Sequence, residues 1–478
     1  MEILIFIGAA LAVLLAVIFI RTLFFRPYPQ PTVQPFSVEV DGNRAIENLT
    51  RMIQCKTVSY LDTSLEDEGE FEKFRALLKE SYPLVHKHCP LQRIGRTGLL
   101  YHWQGKSDDK PTVYMAHYDV VPAEDGAWEQ PPFAGIIKDG CLWGRGTLDT
   151  KGTLCAIMEA AEHLLAQGFV PENDIYLSFS GDEETNGSSA ADIVDYLEAK
   201  GVKPHMVLDE GGAVVQGAVP GVKEKCALVG TGEKGKLHLK FTVNSKGGHA
   251  SSPPPRSPVG ILARAVCAVE NKPFRFHIAA PAREMFDILG RHAGFGLKLI
   301  FANLGVFAPL LNLVARKLGG EINALVRTTV AFTKMKASDT VNVFPATASV
   351  EADVRMMEGD TAESVIAALH KRIRNEAVEI EAVNAIEVRP FSPIGTEPWQ
   401  RLAEGISQIW PGTLVSPYMM LACTDSRHFT RICPNVLRFC PMELSAEERK
   451  MIHGSNERIP LEKIVTTVKF YICMMLKS

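Results

Sequence analysis

Acidic and imidazole side chains recur along this 478-residue chain at places where they could act together. His117 and Asp119 stand two residues apart, directly after the apolar run 113–116, so their side chains share one face of an extended segment. More carboxylates follow short apolar runs or a glycine-rich turn later in the chain, namely Asp149, Asp182, Glu183, Glu184 and Asp209. Histidine and carboxylate without thiolate are ligands that suit catalytic zinc, and manganese or cobalt could substitute.

These residues need a fold that brings distant strand ends together. Between residues 44 and 209, short apolar runs alternate with helical patterns, which predicts an α/β domain with a mostly parallel sheet. In such an open sheet the carboxyl ends of the strands open into one crevice, where ligands bind. Several carboxylates in one crevice repel each other unless cations lie between them, so the pattern predicts a pair of divalent ions.

One histidine is few for two zinc ions, which directs attention to the C-terminal part of the chain. His453, in the sequence Ile452-His453-Gly454, is the best placed second imidazole.

From residue 236 the pattern changes to a β-α-β-β-α-β order, which predicts a small inserted ferredoxin-like α+β domain. We expect the catalytic domain to occupy residues 37–235, the insert 236–391, and the catalytic domain to be completed by 392–478. Within the insert, residues 299–314 carry no charge. They are either a helix pair packed inside the insert or an apolar surface for an acyl chain or a membrane.

The N-terminal residues differ in composition from the rest of the chain. Residues 3–20 are eighteen uncharged, mostly aliphatic residues, about 27 Å as a helix. We predict an uncleaved transmembrane anchor over 3–25, because a basic segment and a small-residue cleavage site are both missing; a signal peptide and a buried helix are the alternatives. A proline-rich tether over 26–36 follows, and the side of the membrane that carries the body stays open.

Composition excludes other classes. The formal charge of −4 and the lack of a lysine- or arginine-rich block predict no nucleic-acid partner. The ten cysteines form no CxxC pair, so a disulfide scaffold or structural zinc module is not expected.

The order of these motifs resembles the zinc exopeptidase family of carboxypeptidase S, the aminoacylases and the N-fatty-acyl-amino-acid synthase/hydrolase. The resemblance covers residues 40 to 478 and is strongest to the carboxypeptidase S branch. It rests on H-x-D, G-R-G-T-L-D-x-K, D-E-E, D-E-G-G and a late I-H-G-x-N-E.

The resemblance implies roles for the acidic cluster. His117, Asp149 and Asp209 would hold one zinc ion, and Asp149, Glu184 and His453 the other, with Asp149 shared. Asp119 would orient His117 from behind. Glu183 would be the general base toward the attacking water, since one glutamate must stay off the metals to move a proton. Asp182 and Glu210, beside these residues, could exchange roles with them.

The resemblance also implies roles within the insert, which would act as a lid and as a surface for a homodimer. His249 would polarise the scissile carbonyl, either in its own chain or across a dimer interface. Asn342 and Arg355 would hold the substrate, since an arginine suits a free carboxylate. Thr150 departs from the family pattern, in which an acidic residue or methionine is more usual, and leaves open whether the peptide bond after Asp149 is cis.

The sequence therefore predicts a single-pass membrane protein that is a two-zinc hydrolase. Its substrate would be a peptide or N-acyl amino acid, cleaved at the amide before a C-terminal amino acid. The alternatives are an N-fatty-acyl-amino-acid synthase/hydrolase, an aminopeptidase or dipeptidase, and a non-catalytic receptor or scaffold on the same fold.

Overall fold

The computed structural model of the protein describes residues 1–29, 33–218 and 221–478. The helices are α1 (Glu2–Phe24), α2 (Gly42–Ile53), α3 (Glu68–Ser81), α4 (Pro83–His88), α5 (Lys151–Ala166), α6 (Ser189–Ala199), α7 (Pro258–Glu270), α8 (Ala280–Gly290), α9 (Phe295–Ala302), α10 (Leu304–Leu318), α11 (Gly320–Ala324), α12 (Ala362–Ile373), α13 (Glu397–Ile409), α14 (Ala446–Met451) and α15 (Leu461–Met475).

The strands belong to a main sheet, a sheet of the insert and two small ladders. They are β1 (Leu91–Ile94), β2 (Gly98–Trp103), β3 (Ser107–His117), β4 (Ile136–Lys138), β5 (Cys141–Trp143), β6 (Asn173–Ser180), β7 (Met206–Gln216), β8 (Lys225–Glu233), β9 (Gly235–Asn244), β10 (Gly248–His249), β11 (Thr329–Lys336), β12 (Val343–Phe344), β13 (Thr347–Met356), β14 (Glu379–Ile386), β15 (Leu414–Met420), β16 (Val436–Glu443) and β17 (Arg458–Pro460).

The main sheet has eight strands in the order β1-β2-β6-β3-β7-β16-β8-β15. The pairs β6/β3, β3/β7, β7/β16 and β8/β15 are parallel, whereas β1 and β2 add an antiparallel edge. This confirms the predicted α/β fold with a mostly parallel main sheet.

Both faces of the main sheet are covered, and the apolar run 113–116 of β3 is buried between them. Val113 and Met115 lie in the core under α6, while Tyr114 and Ala116 lie in the opposite core, which includes α5. Side chains alternate along a strand, so a strand buried on both faces needs apolar residues at every position. The apolar run ends at His117, where the strand reaches the crevice.

The insert contains β9, α7, β11, β13, α12 and β14 in a β-α-β-β-α-β order, with β10, β12 and the four helices α8 to α11 between them. Its strands are antiparallel in the order β11-β13-β9-β14, and β9 alternates buried and partly exposed residues. The buried residues Leu237, Leu239, Phe241 and Val243 pack with residues of α7 and α12 in a separate core.

Helices α8 to α11 lie between α7 and β11 but do not pack on the insert's sheet. α8 contacts β15, and its Met285, Phe286 and Leu289 belong to the main core. α9 contacts both α8 and α1. The uncharged stretch 299–314 is a helix pair, but the expectation that this pair packs inside the insert is wrong, because it lies against the main core and α1.

α1 is long and apolar enough to cross a membrane and is largely exposed, as far as the described residues show. The predicted tether over 26–36 follows α1, and its residues 30–32 lie outside the described residues. The described parts before and after this gap both contact the folded body. Tyr28 Oη donates to Asp287 (2.9 Å), and the Phe36 backbone N–H donates to the carbonyl of Gln408 (3.0 Å).

Candidate metal centre

The carboxylate of Asp149 lies between two imidazoles that are more than three hundred residues apart in sequence. Its Oδ1 is 3.0 Å from Nε2 of His117, and its Oδ2 is 3.1 Å from Nε2 of His453. The predicted pair of histidines therefore opens onto one site, with one carboxylate shared between them.

Glu184 completes one side of this site. Its Oε2 is 2.9 Å from Nε2 of His453, and its ligand atom lies within 4.8 Å of those of His117 and Asp149. Its other oxygen, Oε1, is buried and has no hydrogen-bond partner among the described residues. A buried carboxylate oxygen without a donor is costly unless a cation takes the donor's place.

A second group shares His117 and contains Glu183 and Glu210, again with ligand atoms within 4.8 Å of one another. Glu210 Oε1 is 3.5 Å from Nε2 of His117. Asp209, the predicted ligand, is buried and its Oδ2 accepts a hydrogen bond from the Ser426 backbone N–H (3.1 Å). The structure thus brings Glu210 to the imidazole and directs Asp209 to the segment after β15.

An irregularity in β7 accounts for this choice. Along the parallel pair β16/β7, Arg438 is opposite Asp209, but the next residue, Phe439, is opposite Gly212. Two residues of β7, Glu210 and Gly211, are skipped, and Gly211 has φ +141°. A bulge of this kind redirects a side chain, so alternation along the strand does not predict which carboxylate faces the site.

The electrostatics of the site are those of an acidic cluster. Burial raises the pKa of Glu183 and Glu210 well above the usual range and raises that of Glu184. Hydrogen bonds to Asp149 and Glu184 raise the pKa of His453 to about 10. The negative charge of so many buried carboxylates must be balanced, either by bound protons or by divalent cations. The donor set and the geometry fit divalent metal.

Asp119 lies directly behind the metal ligands. Its two carboxylate oxygens accept the backbone N–H groups of Glu183 and Glu184 (both 3.1 Å), and Ser59 Oγ donates to it (2.7 Å). Nδ1 of His117 is 3.0 Å from the backbone carbonyl of Asp119 and 3.3 Å from its Oδ1. Asp119 therefore orients both glutamates as well as the histidine.

Glu457 is a functional residue that the sequence reasoning missed. It is fully buried, pairs with Arg145 (2.6 Å) and accepts the backbone N–H groups of Gly146, Leu148 and Asp149 (2.7–3.3 Å). β17 pairs with β5, which joins the loop of His453 to the glycine-rich turn. Glu457 is the last residue of the motif I-H-G-x-N-E, but its position in the sequence does not indicate that it pairs with Arg145.

Thr150 holds the turn against the end of β3. Its Oγ1 accepts from the His117 backbone N–H and donates to the His117 carbonyl, both at 3.0 Å. The Asp149–Thr150 peptide bond is cis. The departure from the family pattern at this position thus coincides with a direct link between two metal-binding segments.

Asp425 is a second residue that the sequence reasoning missed. It is buried beside the site, accepts a hydrogen bond from Ser180 Oγ (2.5 Å), and lies 3.7 Å from Arg427. Burial raises the pKa of Asp425 to about 7.

The predicted residues of the insert lie apart from this cluster. His249 on β10 is exposed and pairs with Val343 on β12, and the Ala250 N–H donates to the carbonyl of Asn342 (3.0 Å). Within residues 1–29, 33–218 and 221–478, no hydrogen bond links His249 or Asn342 to the metal ligands. Arg355 is held by Asp353 (2.7 Å) and approaches Cys423 of the main domain (Nη1 to Sγ, 3.9 Å).

Comparison with known proteins gives the class first. The family model described as Peptidase family M20/M25/M40 matches residues 113–477. The chain belongs to this family and is a hydrolase, and its acidic cluster is a candidate site for divalent metal.

Two relatives of this chain are named for different activities. The chain is 36% identical over 433 residues to a probable carboxypeptidase S-like protein 2 of Dictyostelium discoideum, covering 89% of this chain and 83% of the relative. It is also 36% identical over 493 residues to the N-fatty-acyl-amino acid synthase/hydrolase PM20D1 of Xenopus tropicalis, covering 98% and 93%. Two of the three groups named by the resemblance thus contain proteins similar to this chain.

Solved structures support the fold. The M20 family metallo-carboxypeptidase Sso-CP2 from Sulfolobus solfataricus has a TM-score of 0.66 at 18% identity, covering 90% of this chain and 98% of that chain. Human carnosine dipeptidase 1 has a TM-score of 0.65 at 12% identity, covering 91% and 96%.

Proposed function

We propose that this protein is a membrane-anchored two-zinc hydrolase that cleaves the amide between an acyl or peptidyl group and a C-terminal amino acid. The observation that carries the proposal is the carboxylate of Asp149 shared between His117 and His453. A single carboxylate with an imidazole on each of its two oxygens is the arrangement expected for a ligand that bridges two ions.

The remaining ligands divide between the two ions. Glu184 and His453 would join Asp149 at one position, and His117 and Glu210 would join it at the other. Glu210 replaces Asp209 in this assignment because Glu210 lies beside His117. The bound ions would supply the Lewis acidity that activates water and polarises the amide carbonyl.

Glu183 is the proposed general base. It lies with His117 and Glu210 but is not among the groups that touch His453. Asp119 fixes the backbone of Glu183, so its carboxylate is held at the crevice for accepting a proton from water and donating it to the leaving amine. Burial favours the protonated form that the second step requires.

The insert, proposed as residues 236–391, would act as a lid on the main domain. Arg355 would receive the free carboxylate of the substrate through Nη1, since Asp353 accepts from Nε and Nη2 and Nη1 already lies at the junction with the main domain. Asn342 and His249, which lie close together at the two-stranded ladder of β10 and β12, would bind the acyl side and polarise the carbonyl. Their exposure favours closure of the insert, or its pairing in a homodimer, as the step that completes the site.

A cavity favours long acyl chains as a second candidate for the substrate. About 250 Å³ in volume, it reaches from Gly211 and Ile452, neighbours of Glu210 and His453, to Tyr418 near α11. Its lining is mostly apolar, including Leu228 and Met420. This supports an N-fatty-acyl-amino-acid synthase/hydrolase, since a hydrolase catalyses both directions of its reaction.

The reaction class is tested with a panel of N-acyl amino acids and blocked peptides, with and without chelator, by measuring the amino acid released. We expect release that chelator abolishes and that zinc, manganese or cobalt restores. N-oleoyl-phenylalanine compared with a short N-blocked dipeptide separates the two candidates, because equal rates count against a long-chain site. Less than one metal per chain, with no release from any substrate, would favour a receptor or scaffold.

The choice between neighbouring carboxylates is tested by Glu210→Gln and Asp209→Asn. Glu210→Gln should lower the metal content of the purified protein. Asp209→Asn keeps an acceptor for the Ser426 N–H and should leave the metal content unchanged. Metal analysis that shows the opposite pattern would return Asp209 to the ligand set.

A further inference from the structure

The apolar N-terminal helix is fixed to the folded body near its C-terminal end. The rings of Phe19 and Phe295 are 6.2 Å apart, edge to face. The buried Asn303, between α9 and α10, donates through Nδ2 to the Ile18 carbonyl and to Thr22 Oγ1, both at 3.2 Å. α1 therefore has a specific packing partner rather than a loose connection.

The residues that follow α1 strengthen this attachment. The Arg291 guanidinium lies over the rings of Phe25 (4.4 Å) and Tyr28 (4.0 Å) and donates to the Arg26 carbonyl (2.9 Å). Cation–π contacts and a hydrogen bond to the backbone fix the exit of the helix. The direction of α1 relative to the main domain is thus set by the structure.

The partner helices expose apolar side chains beside α1. On α10, one face carries Val306, Leu310, Leu313 and Val314, which are 38–51% exposed, and Leu318 is 68% exposed. This spacing is that of one helix face. On the other face, Leu304, Leu311 and Ala315 pack on the main core, and the exposed Arg316 and Lys317 end the helix.

The point along α1 that contacts Asn303 indicates how deep α9 and α10 would lie in the membrane. Ile18, which contacts Asn303, is six residues before Phe24, the last residue of α1, or about 9 Å at 1.5 Å per residue. Amphipathic helices that lie in a membrane interface are buried by about 5–10 Å. α9 and α10 meet at 112° and pack on the main core, so the pair is suited to lie along the surface and not to cross it.

We propose that α1, α9 and α10 form one lipid-embedded surface, with α1 spanning the bilayer and the α9–α10 pair lying in its near interface. This rests on the proposed anchoring by α1. The bilayer is the occupant because a membrane-spanning α1 brings lipid to Phe295 of α9, and α10 with its exposed apolar face begins at Asn303, which is bonded to α1. The hydrolase domain would then rest on the membrane at a fixed orientation, with Arg316 and Lys317 near the headgroups.

The test uses the full chain in vesicles of phosphatidylcholine with some phosphatidylserine, and compares tryptophan emission with ordinary and brominated lipids. Leu313→Trp and, on the same face, Leu310→Trp place reporters on α10. Leu11→Trp reports on the middle of α1, and Leu61→Trp, at the 90% exposed Leu61 of the main domain, is the matched control.

We expect bromine to remove the added emission of both α10 reporters and of Leu11→Trp, and to leave that of Leu61→Trp unchanged. Bromine near the headgroups should act more strongly on α10, and bromine near the chain ends more strongly on Leu11→Trp. Quenching of Leu11→Trp alone would overturn the α9–α10 surface while keeping the anchor. No quenching at any of these positions would overturn both, and neither result bears on the hydrolase activity.

Discussion

The edge of the main sheet that carries the acidic cluster, here called the metal edge, and the ladder of β10 and β12 in the insert are built in opposite ways. At the metal edge, Asp119 and Glu457 are fully buried and hold the ligand segments by backbone hydrogen bonds. On this ladder, His249 and Asn342 are exposed and are linked mainly through backbone pairing. The first region is held by buried side chains, while the second is open to solvent.

This difference indicates a division of labour. Metal binding and proton transfer need groups held in place before the substrate arrives, since misplacement is costly in rate. Substrate entry needs an open crevice, which exposed residues on a separate domain allow. Mutations in the two regions should therefore have different signatures in metal content, stability and turnover.

The largest effect is expected from Glu183→Gln. Turnover should fall by about 10²–10⁴-fold, because general base catalysis is lost while the size of the side chain is kept. Metal content should be unchanged. The control is Glu172→Gln, at an exposed glutamate paired with Lys106, which should leave turnover intact. Substantial retained turnover in Glu183→Gln would remove Glu183 from the base role.

His249→Ala sharpens the contrast with the insert. Loss of one donor to the developing oxyanion should lower kcat by about 10²–10³-fold, without a change in metal content or in Tm. His370→Ala, at an exposed histidine on α12 of the same domain, is the control. A variant that loses metal, or one with normal kcat, would contradict the proposed role.

Glu457→Gln tests the preorganised side with a smaller expected effect on binding. It should weaken metal affinity by about 10–100-fold, as loss of outer contacts to ligands does. It should also lower Tm, because Arg145 is left buried without its partner. Glu443→Gln, on an exposed pair with Lys225, should change neither property. Normal metal affinity together with an unchanged Tm would mean that Glu457 is not needed to hold the turn of Asp149.

Much of the architecture was predictable because it depends on local patterns. The apolar run 113–116 predicted a strand buried on both faces, and the return of β and α segments after residue 236 predicted the topology of the insert. The sequence also placed His117, Asp149, Glu184 and His453 in one site through their resemblance to a family. The pairing partners of Glu457 could not be predicted, because a buried carboxylate shows no periodic signal.

By itself, the sequence determined the fold class, the family and the chemistry of the donors, since residue type and order carry that information directly. Only the tertiary structure decided that Glu210 and not Asp209 faces His117, because a bulge in β7 breaks the alternation on which strand patterns depend. It also decided that residues 299–314 pack on the main domain beside α1, since contacts between segments nearly three hundred residues apart leave no local pattern.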